Sequence, residues 1–389
     1  MKKVLMISTV PSMIGQFNMS NIKLLMKLGF EVHVACNFKD RSVWSEERVQ
    51  KFQLELNKLG IKQIQIDFPR SPFHFYKLFK SYLTTFKLLH TEKYIFLHCH
   101  APVAGIISRI AGIGNQVKII YTAHGFHFYR NSPVKNWILY FPIELLLSLH
   151  TDTLITINQE DYTIAKNMFF MRDLHLIEGV GVDYKRFYPN RQAGILKKQK
   201  LGFSQEDKIV IYVGELSTRK NQTFLVEVMS LIVKKNPSVK LLLVGKGELY
   251  SKIKTEIENY QLSDNVFLLG YREDIDELMQ ASDLAVSSSR QEGLPVNLME
   301  ALGVALPIVA TDCRGNRDIV QNEQNGYLIS NFNVTLFADA ILNILNNVSI
   351  SEYYSKSSLV LSKKYDINYI ETEMENLYKK FLLQKNISE

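Results

Sequence analysis

Residues 287–315 read SSSRQEGLPVNLMEALGVALPIVATDCRG. An apolar run, DLAVSSS, leads into this stretch, and a second, LPIVATD, leaves it. Between them lies the pattern of a short helix, so the stretch reads as strand, loop, helix, strand. Pro295 suits the first turn of that helix, where a missing N–H costs nothing. The backbone N–H groups of Val296, Asn297 and Leu298 are then expected to be free, and they suit a phosphate. The helix dipole adds up to ~1 kcal/mol of preference for an anion at an exposed end. Glu292 falls in the loop before the helix, and Glu300 more than a turn inside it. Carboxylates repel phosphate but accept hydrogen bonds from hydroxyls. A ligand that is hydroxyl-rich on both sides of a phosphate is a sugar nucleotide. A capping carboxylate before a core helix, with Glu300 on its solvated face, fits the same spacing.

The same alternation extends in both directions. KKVLMIST, FEVHVAC, IQID, KYIFLHCH, VKIIYTAH and DTLITIN read as strands separated by helical patterns, and KIVIYVG, VKLLLVG, NVFLLG, DLAVSSS and LPIVATD form a second set. Repeated βαβ units imply parallel sheets covered by helices. Strands this uniformly apolar are expected where both sheet faces are covered. The sets meet in GVGVDYKRFYPNRQAGILKKQKLGF, which is rich in glycine and charge and reads as a linker. The predicted domains are 1–186 and 187–366, with a C-terminal helix over about 367–389. Ile370, Met374, Leu377 and Phe381 lie near one stripe of that helix. In open α/β sheets ligands bind at the carboxyl ends of the strands, so the informative tails follow IST, HCH, YTAH, YVG, SSS and ATD.

The chain has 389 residues, 46% hydrophobic and 22% charged, which suits two domains with ample core. Its 11% aromatic content argues against disorder. The N-terminal apolar run is too short for a signal peptide, and no uninterrupted apolar stretch reaches the ~18 residues of a membrane span. Cys36, Cys99 and Cys313 are scattered and odd in number, which fits a reduced, cytoplasmic protein. The net charge of +7 is uneven: residues 1–190 hold 23 Lys+Arg against 14 Asp+Glu, and the remainder holds 23 against 25. The basic half is expected to meet an anionic surface or polymer.

QEGLPVNLMEALGVALPIVATD resembles the paired-glutamate segment of family 4 glycosyltransferases, which are retaining enzymes of GT-B fold. YVGELSTRKNQ, LLLVGKGEL and VFLLGYREDIDELMQASDLAVSSS resemble the segments that precede it in that family, in the same order. YTAHGFHFYR resembles the His-Gly loop of the first domain, especially in the branch that builds capsules and exopolysaccharides. The resemblance spans nearly the whole chain and implies two facing Rossmann-like domains with an interdomain cleft. It further implies that Glu292 contacts the donor sugar, that Glu300 holds the nucleotide ribose, and that the backbone of Gly293, Leu294, Pro295, Val296 and Asn297 binds sugar and diphosphate. Gly214, Lys220 and Arg272 join the donor side. Where the family usually has a phosphate-binding Arg this chain has Glu215, and Arg219 is the expected substitute. His124 is expected beside the donor sugar, with His127 a weaker candidate. Gly15, His100 and Asn158 are candidates for the acceptor side.

Two patterns that suggest metal are set aside. His98 and His100 flank Cys99, but strand alternation puts both histidines on one face and Cys99 on the other, and no second ligand cluster accompanies them. Asp274 and Asp276 fall in a helical pattern, as a helix start and a solvated face. Neither a metal nor a cofactor is expected, because the helix dipole and Lys220 can stabilise a leaving diphosphate. SPFHFYKLFKSYLTTFKLLH interleaves Phe73, Phe75, Phe79 and Phe86 with Lys77, Lys80 and Lys87, and VKNWILYFPIELLLSLH offers Trp137, Tyr140 and Phe141. Such segments suit an interfacial helix; core packing is their ordinary alternative. No nucleic-acid-binding signature accompanies them.

The expected activity is retaining transfer of a hexose or N-acetylhexosamine from a nucleotide sugar, UDP-linked in the family's manner, to a lipid-diphosphate-linked sugar. The expected setting is surface polysaccharide assembly at the inner face of the plasma membrane. The alternatives are a UDP-sugar 2-epimerase-like enzyme of the same fold and a non-catalytic sugar-nucleotide-binding assembly partner. A phosphorylase would need a pyridoxal-binding lysine motif, which is not found.

Overall fold

The computed structural model describes residues 2–71, 73–100 and 102–383. Positions 384–389 of the expected terminal helix lie outside these. The chain forms two compact units, Met1–Val180 with Asn368–Glu389, and Gly181–Ile367.

The first unit carries seven strands: β1 (Lys2–Ile7), β2 (Phe30–Cys36), β3 (Lys62–Gln65), β4 (Phe96–His100), β5 (Lys118–Ala123), β6 (Thr153–Thr156) and β7 (Asp173–Leu176). Their order is β3-β2-β1-β4-β5-β6-β7, parallel throughout. The second unit carries six: β8 (Lys208–Val213), β9 (Val239–Val244), β10 (Val266–Gly270), β11 (Leu284–Ser287), β12 (Ile308–Thr311) and β13 (Gly326–Ile329). Their order, β10-β9-β8-β11-β12-β13, repeats the same winding. Both units are therefore doubly wound. Each has a point where strand order reverses, between β1 and β4 and between β8 and β11, and ligands of such sheets bind outside the carboxyl ends there. Strands β7 and β13 were not expected from sequence. Both are four-residue edge strands, too short and too half-buried to show an apolar run.

Side chains alternate across the first sheet. Val4, Met6 and Phe96 face one side, where the helix Ile367–Leu383 buries Ile370, Met374, Leu377, Tyr378 and Phe381 against them. Phe96 stacks on Tyr378 at 5.9 Å and meets Phe381 at 5.0 Å between ring centroids. Leu5, Ile7, Leu97 and Cys99 face the other side. There the helices Phe75–Glu92, Pro102–Asn115 and Val134–Ser148 belong to the same layer.

This layer corrects two readings of the aromatic segments. Trp137, Tyr140 and Phe141 turn inward, and Phe128 lies 5.3 Å from Trp137 and 5.4 Å from Phe141. The outward residues of Val134–Ser148 are aliphatic: Val134, Ile138, Leu139 and Leu146. A helix that is apolar all round has no stripe from which its buried face could be read. In the other segment Phe86 packs inward, while Phe73, Phe75 and Phe79 are 68%, 75% and 61% exposed. Beneath the layer Arg109 bonds Glu144 at 2.7 Å, joining Pro102–Asn115 to Val134–Ser148, and its guanidinium lies 4.0 Å from the Tyr121 ring centroid. Among the described residues no single helix is long and apolar enough to cross a membrane.

Gly15 is also corrected. The segment after β1 forms the helix Pro11–Phe17 rather than an open glycine loop. A Cβ at Gly15 would sit 2.3 Å from Cη2 of the buried Trp44. Gly15 is there because the helix packs closely on that ring.

Candidate functional site

In the second unit, the loops after β8 and β11 meet at the strand-order reversal. Glu292 is buried, 6% exposed, in the loop after β11. Lys220, from the loop after β8, donates to its Oε1 at 2.6 Å, and Arg219 donates to its Oε2 at 3.1 Å. Burial opposes ionisation of this carboxyl, but the charges of Lys220 and Arg219 outweigh it and hold its pKa below the ordinary value. Both cations, expected to face a diphosphate, therefore hold Glu292.

The backbone of this loop is pinned by its carbonyls. Arg219 donates to Gln291 O, Arg314 donates to Glu292 O, and Thr311 donates to Ser289 O at 2.6 Å. The amide of Arg290 closes the set by donating to Arg219 O. Gly315, at φ +79°, passes behind the loop; a Cβ there would lie 2.6 Å from Gly293 O. Arg314 and Gly315 were not singled out from sequence, although they stand in one of the strand tails where ligands are expected. The carbonyls of Ser289, Gln291 and Glu292 are thus taken up within the protein.

The helix Val296–Gly303 follows. Pro295 is its N-cap in an extended conformation, φ −78° and ψ 109°, not its first helical residue. Its carbonyl is consequently the first acceptor, and Leu298 N donates to it at 3.1 Å. That removes Leu298 from the free donors and leaves the amides of Val296 and Asn297 at the helix start. Glu300 lies one turn further in, half-buried, with no side-chain hydrogen bond among the described residues. Burial pushes its carboxyl up to about 7, against the charge of Arg186 and aided by that of Asp276. Arg186 is held by Asp276 at 2.8 Å. Tyr184 donates to Met299 O at 3.2 Å and fits against Gly303. Both residues come from the segment read as linker, where no periodicity marks them.

Gly214 follows β8, and its amide donates to Val244 O at 2.9 Å. Arg272 is occupied by Asp274, at 2.7 Å through Nε. Asp274 also pairs with Lys197. Asp274 is the N-cap residue of the helix Ile275–Gln280, the expected helix start, but both aspartates are ion-paired and not left to solvent.

In the first unit, His124 follows β5, half-buried, with Gly125 beside it at φ +128°. His100 ends β4 and is fully buried; its Nδ1 lies 3.2 Å from His124 Nε2 and its Nε2 lies 3.1 Å from Met6 Sδ. His98 bridges Tyr378 Oη at 2.9 Å and Thr122 Oγ1 at 2.8 Å. Burial lowers the pKa of all three: His124 to about 4, His98 to about 3 and His100 well below its ordinary value. All three are neutral imidazoles at neutral pH. With Phe17, Asn18 and Asn21 from the N-terminal helices, His100 and His124 line one small cavity. His127 stacks on Tyr140 at 4.4 Å and is not among the residues lining this cavity. Asn158 does not present a free amide: it caps the helix Gln159–Met168, accepting from Asp161 N and donating to Asp161 Oδ2, both at 2.8 Å.

Known proteins match this description. Residues 3–158 match the family described as Glycosyl transferase 4-like, and residues 195–358 match Glycosyl transferases group 1. The Bacillus subtilis protein EpsD, named as a glycosyltransferase, is 33% identical over 98% of this chain and 97% of its own length. The UDP-Gal:alpha-D-GlcNAc-diphosphoundecaprenol alpha-1,3-galactosyltransferase of Escherichia coli is 31% identical over 69% of this chain and 70% of its own. The crystal structure of Anabaena HepE in complex with UDP and glucose superposes with a TM-score of 0.78 at 18% identity, covering 98% of this chain and 100% of that one. A charged site at one strand-order reversal, a histidine group at the other and these full-length matches agree: the chain belongs to the family 4 glycosyltransferases and has the GT-B fold.

Proposed function

We propose that this transferase moves a hexose or N-acetylhexosamine from a UDP-sugar to a lipid-diphosphate-linked sugar, with retention at the anomeric carbon, in surface polysaccharide assembly at the inner face of the plasma membrane. The observation that carries the donor half is the pair of unlike carboxylates around the helix start at Val296. Glu292 is ionised and clamped, while Glu300 is half-buried, unpaired and pushed up to about 7. On this reading the amides of Val296 and Asn297 take the diphosphate. Glu300 accepts from the ribose hydroxyls, and Glu292 from hydroxyls of the donor sugar. The UDP and glucose named with HepE and the galactosyl donor of the Escherichia coli relative support the choice of donor.

In the reaction, the bond from the anomeric carbon to the diphosphate oxygen breaks, and the acceptor oxygen bonds to that carbon on the same face. The acceptor's proton passes to the departing diphosphate. No enzyme nucleophile, metal ion or cofactor is required, because Lys220 and the helix dipole stabilise the leaving charge. His124, neutral, orients a sugar and is not a strong base.

The acceptor half rests on the diphosphoundecaprenol named for the Escherichia coli enzyme and on the outer face of the first unit. There Phe75, Tyr76 and Phe79 stand exposed, and an open groove of about 580 Å³ is lined by Tyr76 with Lys39, Arg70, Lys77 and Lys80 against Asp40 and Asp67. Aromatics beside basic residues suit an anionic membrane surface. A donor screen reading UDP release, with undecaprenyl-diphosphate sugars as acceptors, tests the whole reading. Transfer from one UDP-sugar is expected. A 2-epimerised donor without transfer, or binding without turnover, overturns it.

A further inference from the structure

Two of the clustered histidines of the first unit, His100 and His124, carry protons that the geometry assigns. Met6 Sδ has lone pairs and no proton. At 3.1 Å from a sulfur, His100 Nε2 is either a donor or a second lone pair facing the first. Only the donor arrangement is attractive, so Nε2 of His100 bears the hydrogen. A neutral imidazole has one N–H, which leaves His100 Nδ1 as an acceptor. Its partner at 3.2 Å is His124 Nε2. Of two neutral rings meeting nitrogen to nitrogen, one must donate, and here that is His124. Its second nitrogen, Nδ1, is then bare and has no hydrogen-bond partner among the described residues.

We propose that His100 is a positioning residue that fixes His124 as the Nε2–H tautomer, so that His124 Nδ1 serves as a hydrogen-bond acceptor for a hydroxyl of the bound sugar substrate. The chain runs from Met6 on β1 through His100 on β4 to His124 after β5, three neighbouring strands on whose carboxyl side ligands are expected. Burial supports it by keeping each ring uncharged over the physiological range. A charged His124 would carry hydrogens on both nitrogens and could only donate. The arrangement selects a hydroxyl that gives its proton and disfavours groups that only accept, such as a carbonyl or an ether. The substrate part of this inference rests on the glycosyl-transfer reading; the tautomer part does not.

The test begins on the wild-type protein, by ¹⁵N NMR of the histidine side chains. A protonated Nε2 and a bare Nδ1 on His124 are expected, and a protonated Nδ1 overturns the proposal. Two variants then separate alignment from packing. In His100→Asn the Oδ1 oxygen stands where Nδ1 stood and can accept from His124; in His100→Leu nothing can. We expect kcat to fall on the order of tenfold or more in His100→Leu, the worth of one misaligned hydrogen bond, and to recover mostly in His100→Asn, with UDP affinity unchanged in both. Equal losses in the two variants, each still binding UDP, overturn the positioning role. Wild-type protein with the expected tautomer but no transfer with any donor sinks the transferase reading alone.

Discussion

The two units wind their sheets in the same order and place their candidate sites at the same topological point, yet they build them from opposite materials. In the second unit the site is ionic: Glu292 gripped by Lys220 and Arg219, and Glu300 behind a helix start. In the first it is neutral: two buried imidazoles and a half-buried one, a thioether and hydroxyls. The difference follows from the ligands proposed for each. A diphosphate is recognised through charge and backbone amides, which demand particular residue types at particular spacings. A sugar hydroxyl needs only an aligned donor or acceptor, which many side chains can supply.

The largest effect should come from breaking the ionic site at its centre. Glu292→Ala is expected to lower kcat by about 10²–10³-fold, as loss of a polar contact to the reacting sugar does, while UDP affinity, measured by calorimetry, stays nearly intact. Glu300→Ala should do the converse, weakening UDP binding by about tenfold or more through two lost hydroxyl contacts. Equal UDP affinities in the two variants would dissolve the division of labour between the carboxylates.

The titration of Glu300 sharpens the contrast between the units. Hydroxyl donors favour the ionised carboxylate, so UDP should bind more tightly as pH rises through about 7, with a proton released on binding, and Glu300→Gln should be flat. The raised pKa has the opposite consequence for folding. The folded state holds this proton above the ordinary carboxylate range, so stability falls as pH rises toward about 7. Denaturant midpoints of Glu300→Gln should lack that slope. Neutral His98, His100 and His124 should contribute no limb near their ordinary pKa to either profile.

A smaller effect separates the outer face of the first unit from its core. Phe75→Ser with Phe79→Ser should reduce flotation with anionic vesicles at low salt and leave thermal stability alone. Trp137→Ala should cost about 2 kcal/mol or more of stability while leaving flotation of the folded protein unchanged. Loss of flotation only in Trp137→Ala would invert the assignment of faces. Gly15→Ala should lower stability more modestly, as helix Pro11–Phe17 shifts away from Trp44.

What could be read from the chain follows the same division. Central strands with both faces covered show as apolar runs, and the loops that carry charge stand at their ends, so the fold and the Glu292–Glu300 segment were legible. Edge strands β7 and β13 bury too little to leave a run. The inward turn of Trp137 is invisible in a helix apolar on all sides. Nothing in the spacing of Arg219 and Lys220 says that they would close on Glu292, because that contact joins loops 72 and 73 positions apart in sequence. Asn158 and Gly15 show the reverse error. Asn158 stands just after β6 and Gly15 in the helix that follows β1, near where function is expected, and each is spent on local structure, a helix cap and a close helix contact.

The clamp on Glu292 also bears on which anions the protein ignores. Its two cations already own a counter-ion, so an anion offered to them competes with that carboxylate, while the amides of Val296 and Asn297 stay open. Inorganic phosphate or a bare diphosphate brings negative charge but no hydroxyls, and would strand Glu292 in a buried place. On the proposed reading a sugar nucleotide seats its diphosphate on those amides and its hydroxyls on Glu292. Such a site should resist the simple phosphates abundant in any cell, and its grip on the donor should fade less with added salt than that of an open cluster of lysines.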